Sequence, residues 1–360
     1  MVTPSPSFWR GRRALITGHT GFKGSWLWQW LVMFGVEVVG IALPPDAEPN
    51  LFHLAGIGDS AGSHLSDIRE RKKLHVLLNA VQPEIVFHMA AQSLVRRSYR
   101  EPAETFETNV LGTAYVLDAI RFAPSVRCAL IVTSDKCYQP RPGLDAYLEE
   151  DPLGGYDPYS ASKACAEIVV ECWRRSFPNP ATPRGIASLR AGNVIGGGDW
   201  AQDRLIPDCV RAFQQGKAVE IRNPNAVRPW QHVLDALAGY LLLAERLYGD
   251  PAGFGQAWNF GPDPSGSKTV LSVVEHFAAH WGDNPEWRIA EGLTLSEEPV
   301  LAIDASKART QLGWRSVLNL DDSLGWTAEW YRKQEAGENA SKLCTEQICR
   351  FLERARSIAV

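Results

Sequence analysis

The chain has no Cys-x-x-Cys pair, and its seven cysteines are scattered and odd in number. That argues against a disulfide framework or a structural zinc site, and it fits a reducing compartment. Charge of one sign is also missing: 37 Lys and Arg face 41 Asp and Glu, a formal net charge of -4. With no long basic run and no zinc-finger spacing, nucleic acid is not an expected partner. Residues 1–13 carry no apolar signal core. Long apolar runs are scarce. The stretch 26–43 comes nearest to a membrane span, but Gln29, Gly35 and Glu37 interrupt it. It reads instead as a helix, a turn at Gly35 and a buried strand. Neither an internal repeat nor a low-complexity segment is visible. These absences predict a soluble, cytoplasmic protein with no membrane partner and no metal.

What is present suits a globular protein with a large core: 45% hydrophobic and 22% charged residues in a chain of 360. Short apolar runs at 14–17, 36–42, 85–88, 128–133 and 185–190 alternate with helical stretches at about 22–34, 69–80 and 103–122, and from Tyr159 onward. That alternation predicts an α/β fold: a Rossmann-type, doubly wound parallel sheet with right-handed crossovers. After about Asn193 the texture changes to loops and shorter elements. Residues 1–192 are expected to form a dinucleotide-binding domain, and 193–335 mainly a smaller mixed α/β substrate lobe. A helix over 229–248 is expected to pack back onto the main domain within 229–260, and 336–360 to form a terminal helix or tail.

Gly18-His19-Thr20-Gly21-Phe22-Lys23-Gly24 joins the first strand to the first helix. Gly18 allows the tight turn. Gly21 and Gly24 let backbone and helix approach a pyrophosphate held by the helix N-terminus. Thr20, Phe22 and Lys23 join these glycines as expected cofactor contacts. The second strand ends at Ala42 or Leu43, neither of which can hold ribose hydroxyls, and Asp46 lies beyond Pro44-Pro45. No arginine follows closely to hold a 2′-phosphate, so this place leaves NAD and NADP open. Asp67 and Ile68 end the third strand, placed either to meet adenine or to cap the next helix. Met89-Ala90-Ala91 ends the fourth strand, with small residues that leave room for a dinucleotide.

Tyr159 and Lys163 are four apart, on one helix face. An ammonium near a phenol lowers the phenol's pKa, which makes a base for a sugar hydroxyl. Thr133-Ser134-Asp135-Lys136 follows the predicted fifth strand. Ligands bind at the C-terminal ends of such strands.

The turn 17–24, His88-Met89-Ala90-Ala91, Asn109-Val110-x-Gly112-Thr113 and the Tyr159/Lys163 pair together resemble the extended short-chain dehydrogenase/reductase family, over most of the chain. Within it, 133–138, 190–200 and 221–233 resemble the branch that dehydrates CDP-glucose. Ser134-Asp135-Lys136 stands where other sugar-nucleotide 4,6-dehydratases usually carry Thr-Asp-Glu. The resemblance implies a nucleotide-sugar substrate (CDP-glucose), NAD, and a homodimer paired through the helices that carry Val110, Leu117, Ile168 and Trp173. It further implies that Tyr159, Lys163 and Ser134 serve C4 oxidation, with Thr133, Ala90 and Ala91 beside the cofactor. Asp135 is then the candidate acid for the leaving C6 hydroxyl and Lys136 the candidate C5 base, although which of the two takes the C5 proton stays open. Arg222 and Arg228 are candidate diphosphate clamps, and Asn193 a substrate contact. A second clamp arginine, carried by related enzymes in an Arg-Pro-Gly-Asp stretch, is replaced here by Ser296-Glu297-Glu298-Pro299. Two other readings remain: a different nucleotide-sugar dehydratase or 4-epimerase on the same scaffold, and a non-catalytic dinucleotide sensor.

Overall fold

The computed structural model describes residues 2–141, 143, 146–178, 183–263, 267–290 and 301–358. Seven parallel strands form the main sheet: β1 (Arg13–Thr17), β2 (Glu37–Ala42), β3 (Ser63–Leu65), β4 (Ile85–His88), β5 (Cys128–Val132), β6 (Gly185–Ala191) and β10 (Ala257–Phe260). Their order is β10-β6-β5-β4-β1-β2-β3. Chain order reverses at β1, where β2 lies to one side and β4 to the other, and ligands sit at such switch points.

Alternation along each strand divides the core in two. Ala14 and Ile16, Ile85 and Phe87, and Cys128, Leu130 and Val132 face one cluster. Leu15, Val86, Ala129 and Ile131 face the other. Because both faces are covered, β5 is buried at all five residues and reads as a continuous apolar run. Leu130, Ile131 and Val132 each contribute about 1.5–3 kcal/mol by this burial.

The helix Phe22–Met33, the turn at Gly35 (φ 76°) and β2 account for the apolar stretch at 26–43. Among the described residues, no helix is long and apolar enough to cross a membrane. All seven cysteines are unpaired.

Two elements differ from expectation. The helix expected over 103–122 contains a π turn at Glu107–Leu111, between Pro102–Phe106 and Gly112–Arg121. The wider turn seats buried Asn109, whose Oδ1 accepts from Gln92 N at 2.9 Å. Its Nδ2 donates to Ser162 Oγ at 2.8 Å. Leu117 on this helix packs inside the protein at 1% exposure, whereas Ile168 is 58% exposed.

The second difference lies at 229–232, which was expected to be helical. It belongs instead to a strand, β9 (Val227–His232), and the helix begins at Val233 and runs to Gly249. Pro229 sets φ for an extended segment and has no N–H to give a helix. β9 pairs in parallel with β7 (Asn193–Ile195) and antiparallel with β11 (Ser267–Thr269). A two-stranded ribbon, β8 (Val219–Ile221) with β12 (Trp287–Ile289), lies beyond it. The helix Ala340–Ile358 packs on helix Phe22–Met33, with the Phe351 ring 5.7 Å from Trp30.

Candidate active site

The glycine turn closes against the end of β4. Gly18 has φ 78°, and a Cβ there would lie 2.6 Å from Ala90 N. A Cβ on Gly24 would lie 2.1 Å from Gly18 O. Gly21 caps helix Phe22–Met33 without a side chain, so the leading N–H groups stay available for a diphosphate. This turn and helix start fit a dinucleotide.

The expected cofactor residues divide along the sheet edge. Phe22, Lys23, Ala91, Thr133, Tyr159 and Lys163 line a cavity of about 340 Å³. The remaining glycines, Thr20, Ala90, Asp67 and Ile68 lie outside that lining. Thr20 donates its hydroxyl to Leu43 O at 2.9 Å, beside the end of β2. Asp67 accepts from Arg69 N at 2.8 Å and pairs with the Arg69 guanidinium. It does not cap the following helix, whose N-cap is Glu70. Ile68 is buried beneath Gly112, where a Cβ would meet its Cδ1 at 2.7 Å.

The side chain of Lys23, an expected cofactor contact, lines the same cavity as the catalytic candidates. Its Nζ lies 5.9 Å from the Tyr240 ring centroid. Burial lowers its pKa to about 8; Arg204 adds to the lowering, while Asp135 and Asp199 oppose it.

Ser134, Asp135 and Lys136 follow β5 directly into the cavity. Ser134 caps the short turn Asp135–Cys137 by accepting from Lys136 N at 3.2 Å. The Ser134 hydroxyl donates to Asp135 Oδ1 at 3.0 Å. Asp135 is only 3% exposed, and its Oδ2 is buried without a partner. Burial raises the Asp135 pKa, against the pull of Lys136, Ser134, Arg228 and Lys23.

Tyr159 and Lys163 enter the cavity from helix Pro158–Ser176, which Asp157 caps by accepting from Ser160 N. The phenol is not lowered as the spacing predicted. Burial pushes it up to about 12, against the Ser134 hydroxyl and the Arg204 guanidinium. Lys163 instead turns its Nζ to Val132 O, at 3.3 Å. Burial and the charge of Lys23 lower Lys163 to about 7, against Glu167.

Asn193, Arg222 and Arg228 line the far side of the cavity. Arg228 is 4% exposed and donates to Val227 O at 2.9 Å. Arg222 pairs with Asp203 at 2.8 Å and Asp208 at 3.0 Å. The stretch 296–299 lies outside the described residues; Lys307, further on, donates to Ala257 O. Sequence reasoning missed Arg204, which lines the cavity between Asp199 (2.9 Å) and Ser93 (3.0 Å). Its position just before helix Leu205–Gln214 was the available signal.

The sequence model of the GDP-mannose 4,6 dehydratase family matches residues 15–259. The chain belongs to this family. It is 47% identical over 337 residues to the CDP-glucose 4,6-dehydratase of Salmonella typhimurium, covering 92% of this chain and 94% of that one. It is 27% identical over 340 residues to the dTDP-glucose 4,6-dehydratase of Neisseria gonorrhoeae, covering 89% and 95%. A dTDP-glucose 4,6-dehydratase of Streptomyces venezuelae, solved with NAD bound, superposes with TM-score 0.77 at 24% identity, covering 91% of this chain and 99% of that one. That last likeness concerns the fold alone. Dehydratases of this family modify nucleotide sugars, and they differ from plain hydride-transfer enzymes in needing an acid and a base for water loss.

Proposed function

We propose that the protein is an NAD-dependent CDP-glucose 4,6-dehydratase, converting CDP-glucose to CDP-4-keto-6-deoxyglucose and water. One observation carries the reading. Beside the Tyr159/Lys163 pair stands Asp135, a buried carboxyl whose pKa is raised and whose outer oxygen has no partner. Oxidation alone does not need such an acid, but elimination does. The identity with the Salmonella typhimurium relative supports CDP-glucose over other nucleotide sugars.

Tyr159 would take the C4 hydroxyl proton as phenolate, a form that the positive charge of bound NAD+ would favour against burial, with Ser134 holding the C4 oxygen. Lys163 holds the nicotinamide ribose. Bound NAD+ would supply the hydride acceptor for C4 and, once reduced, the hydride donor for C6. The C4 ketone acidifies the C5 hydrogen, which Lys136 removes. Asp135 gives its proton to the C6 hydroxyl as it leaves as water. Lys136 returns its proton to C5, and the proton taken from O4 replaces the one Asp135 gave away. Arg228 and Arg222 hold the diphosphate, because guanidinium groups match phosphate oxygens bidentately, and Asn193 contacts the sugar end. For Arg222 this means exchanging part of its pairing with Asp203 and Asp208. Gly18, Thr20, Gly21, Phe22, Gly24, Asp67, Ile68, Ala90, Ala91 and Thr133 line the path of the dinucleotide.

We also infer a cytoplasmic homodimer in which residues 1–192 serve the cofactor and 193–335 mainly the sugar. Leu111 and Ile168, 48% and 58% exposed on helices 107–121 and Pro158–Ser176, support the pairing. The enzyme assay is direct. Protein, NAD+ and CDP-glucose are incubated, alkali is added, and the ultraviolet absorbance of a 4-keto sugar is read. Signal with UDP- or dTDP-glucose but not CDP-glucose would contradict the substrate.

A further inference from the structure

Behind the cavity, and outside its lining, lies a buried ion pair. Glu167 Oε2 accepts from Arg190 Nη2 at 2.8 Å, and the two side chains are 1% and 4% exposed. Glu167 sits one helical turn after Lys163 on helix Pro158–Ser176, so the two share a face. Its other oxygen accepts from Thr133 Oγ1 at 2.5 Å. Ser188 Oγ also donates to Glu167, at 2.7 Å. Arg190, on β6, donates from Nη1 to Tyr138 Oη and to Glu149 O, both at 2.9 Å. Tyr138 in turn donates to Asn259 Oδ1 at 2.6 Å, on β10.

The positions matter more than the count. Thr133 immediately precedes Ser134-Asp135-Lys136, and Tyr138 follows it after one residue. The pair therefore grips both ends of the loop that carries the acid and base of elimination. Through its own helix, it ties that loop to Tyr159 and Lys163, which serve oxidation. A buried ion pair seldom adds net stability over packed apolar side chains, because desolvating two charges costs about what their attraction returns. Fixing geometry is its better-attested use, and here the geometry fixed is between two halves of one site.

We propose that Glu167 and Arg190 are positioning residues that hold the loop of Asp135 and Lys136 in register with Tyr159 and Lys163, so that water loss keeps pace with C4 oxidation. This rests on the dehydratase reading above. Misplacing an acid by a fraction of an ångström slows its own step without touching the step that precedes it.

The test leaves the ion pair in place and cuts its ties. Ser188→Ala removes a tie of Glu167 to β6, and Tyr138→Phe the tie of Arg190 to the end of the loop; neither removes a charge, and neither residue lines the cavity. With CDP-glucose and NAD+, stopped-flow absorbance follows NADH while the alkali assay follows product. The account expects near-wild-type KM values and melting temperatures, NADH formation at the wild-type rate, and product formation about tenfold slower, so that NADH accumulates. The double variant should be little worse than the worse single one, because both ties act through one pair. Unchanged turnover, a fall in kcat with no NADH build-up, or a loss confined to NAD+ affinity would overturn the proposal. Absence of product from the wild-type protein would overturn the dehydratase reading itself, which separates the two failures.

Discussion

Ser134 donates its hydroxyl to Asp135 Oδ1 across 3.0 Å, while Asp135 Oδ2 is buried with nothing to bond. One short contact thus joins a residue of the oxidation step to the acid of the elimination step. The free oxygen is where a proton for the departing hydroxyl would sit, and burial favours keeping that proton.

Replacing the acid and base should separate the steps. Asp135→Asn and Lys136→Met are expected to retain C4 oxidation, seen as NADH formation, and to lose water elimination by about 10²–10⁴-fold. The measurement is product release compared with NADH absorbance. Release of a 4-keto-6-deoxy sugar at the wild-type rate by either variant would remove that residue from the mechanism.

Lys23 predicts a pH effect. Its ammonium pulls the Asp135 carboxyl down against burial. Without it, as in Lys23→Met, Asp135 holds its proton to higher pH. The elimination step needs that proton, so its alkaline limb should move to higher pH, with a lower plateau because the acid is weaker. An acidic shift, or none, would show that Lys23 acts elsewhere.

Gly24→Ala tests the turn. The added methyl would stand 2.1 Å from Gly18 O. NAD+ titration should show affinity reduced by at least about tenfold, because the turn must open to admit it. Undiminished affinity would mean that the close approach is not needed.

His88 makes a prediction about stability. It is buried, with Nδ1 2.7 Å from Thr17 Oγ1 and Nε2 2.9 Å from Thr113 Oγ1. Burial and then the charge of Lys163 lower its pKa from 6.5 to about 3. Its contribution to stability is therefore full above pH 6.5 and is lost as pH falls from there towards 3. Within that window His88→Gln should make the stability–pH curve shallower by about 1.4 kcal/mol per pH unit. Denaturant titrations across the window give the slopes, and equal slopes would contradict the assignment.

The parts of this protein legible in its sequence are those that local pattern determines. The turn at Gly18, the strands at 14–17 and 128–132 and the Tyr159/Lys163 pair follow from residue type and spacing. The strand at Val227–His232 was hidden because its pairing partners, β7 and β11, lie far away in the chain, and because Arg-Pro-Trp-Gln-His shows no alternation. The state of Tyr159 was misread for a different reason. Its helix spacing to Lys163 is local, but its burial is not, and burial is what raises the phenol. The ion pairs of Arg222, a candidate diphosphate clamp, were not legible in sequence, since Asp203 and Asp208 reach it only through the fold. Glu167 and Arg190 are 23 residues apart and meet only once helix Pro158–Ser176 lies across β6.

The most direct measurement follows CDP-glucose with the protein and NAD+, and resolves both NADH and sugar product over one turnover. The account predicts a 4-keto-6-deoxy sugar with only a transient of NADH, and no need for added reductant. A stable stoichiometric build-up of NADH, or a 4-epimer in place of the deoxy sugar, would contradict it.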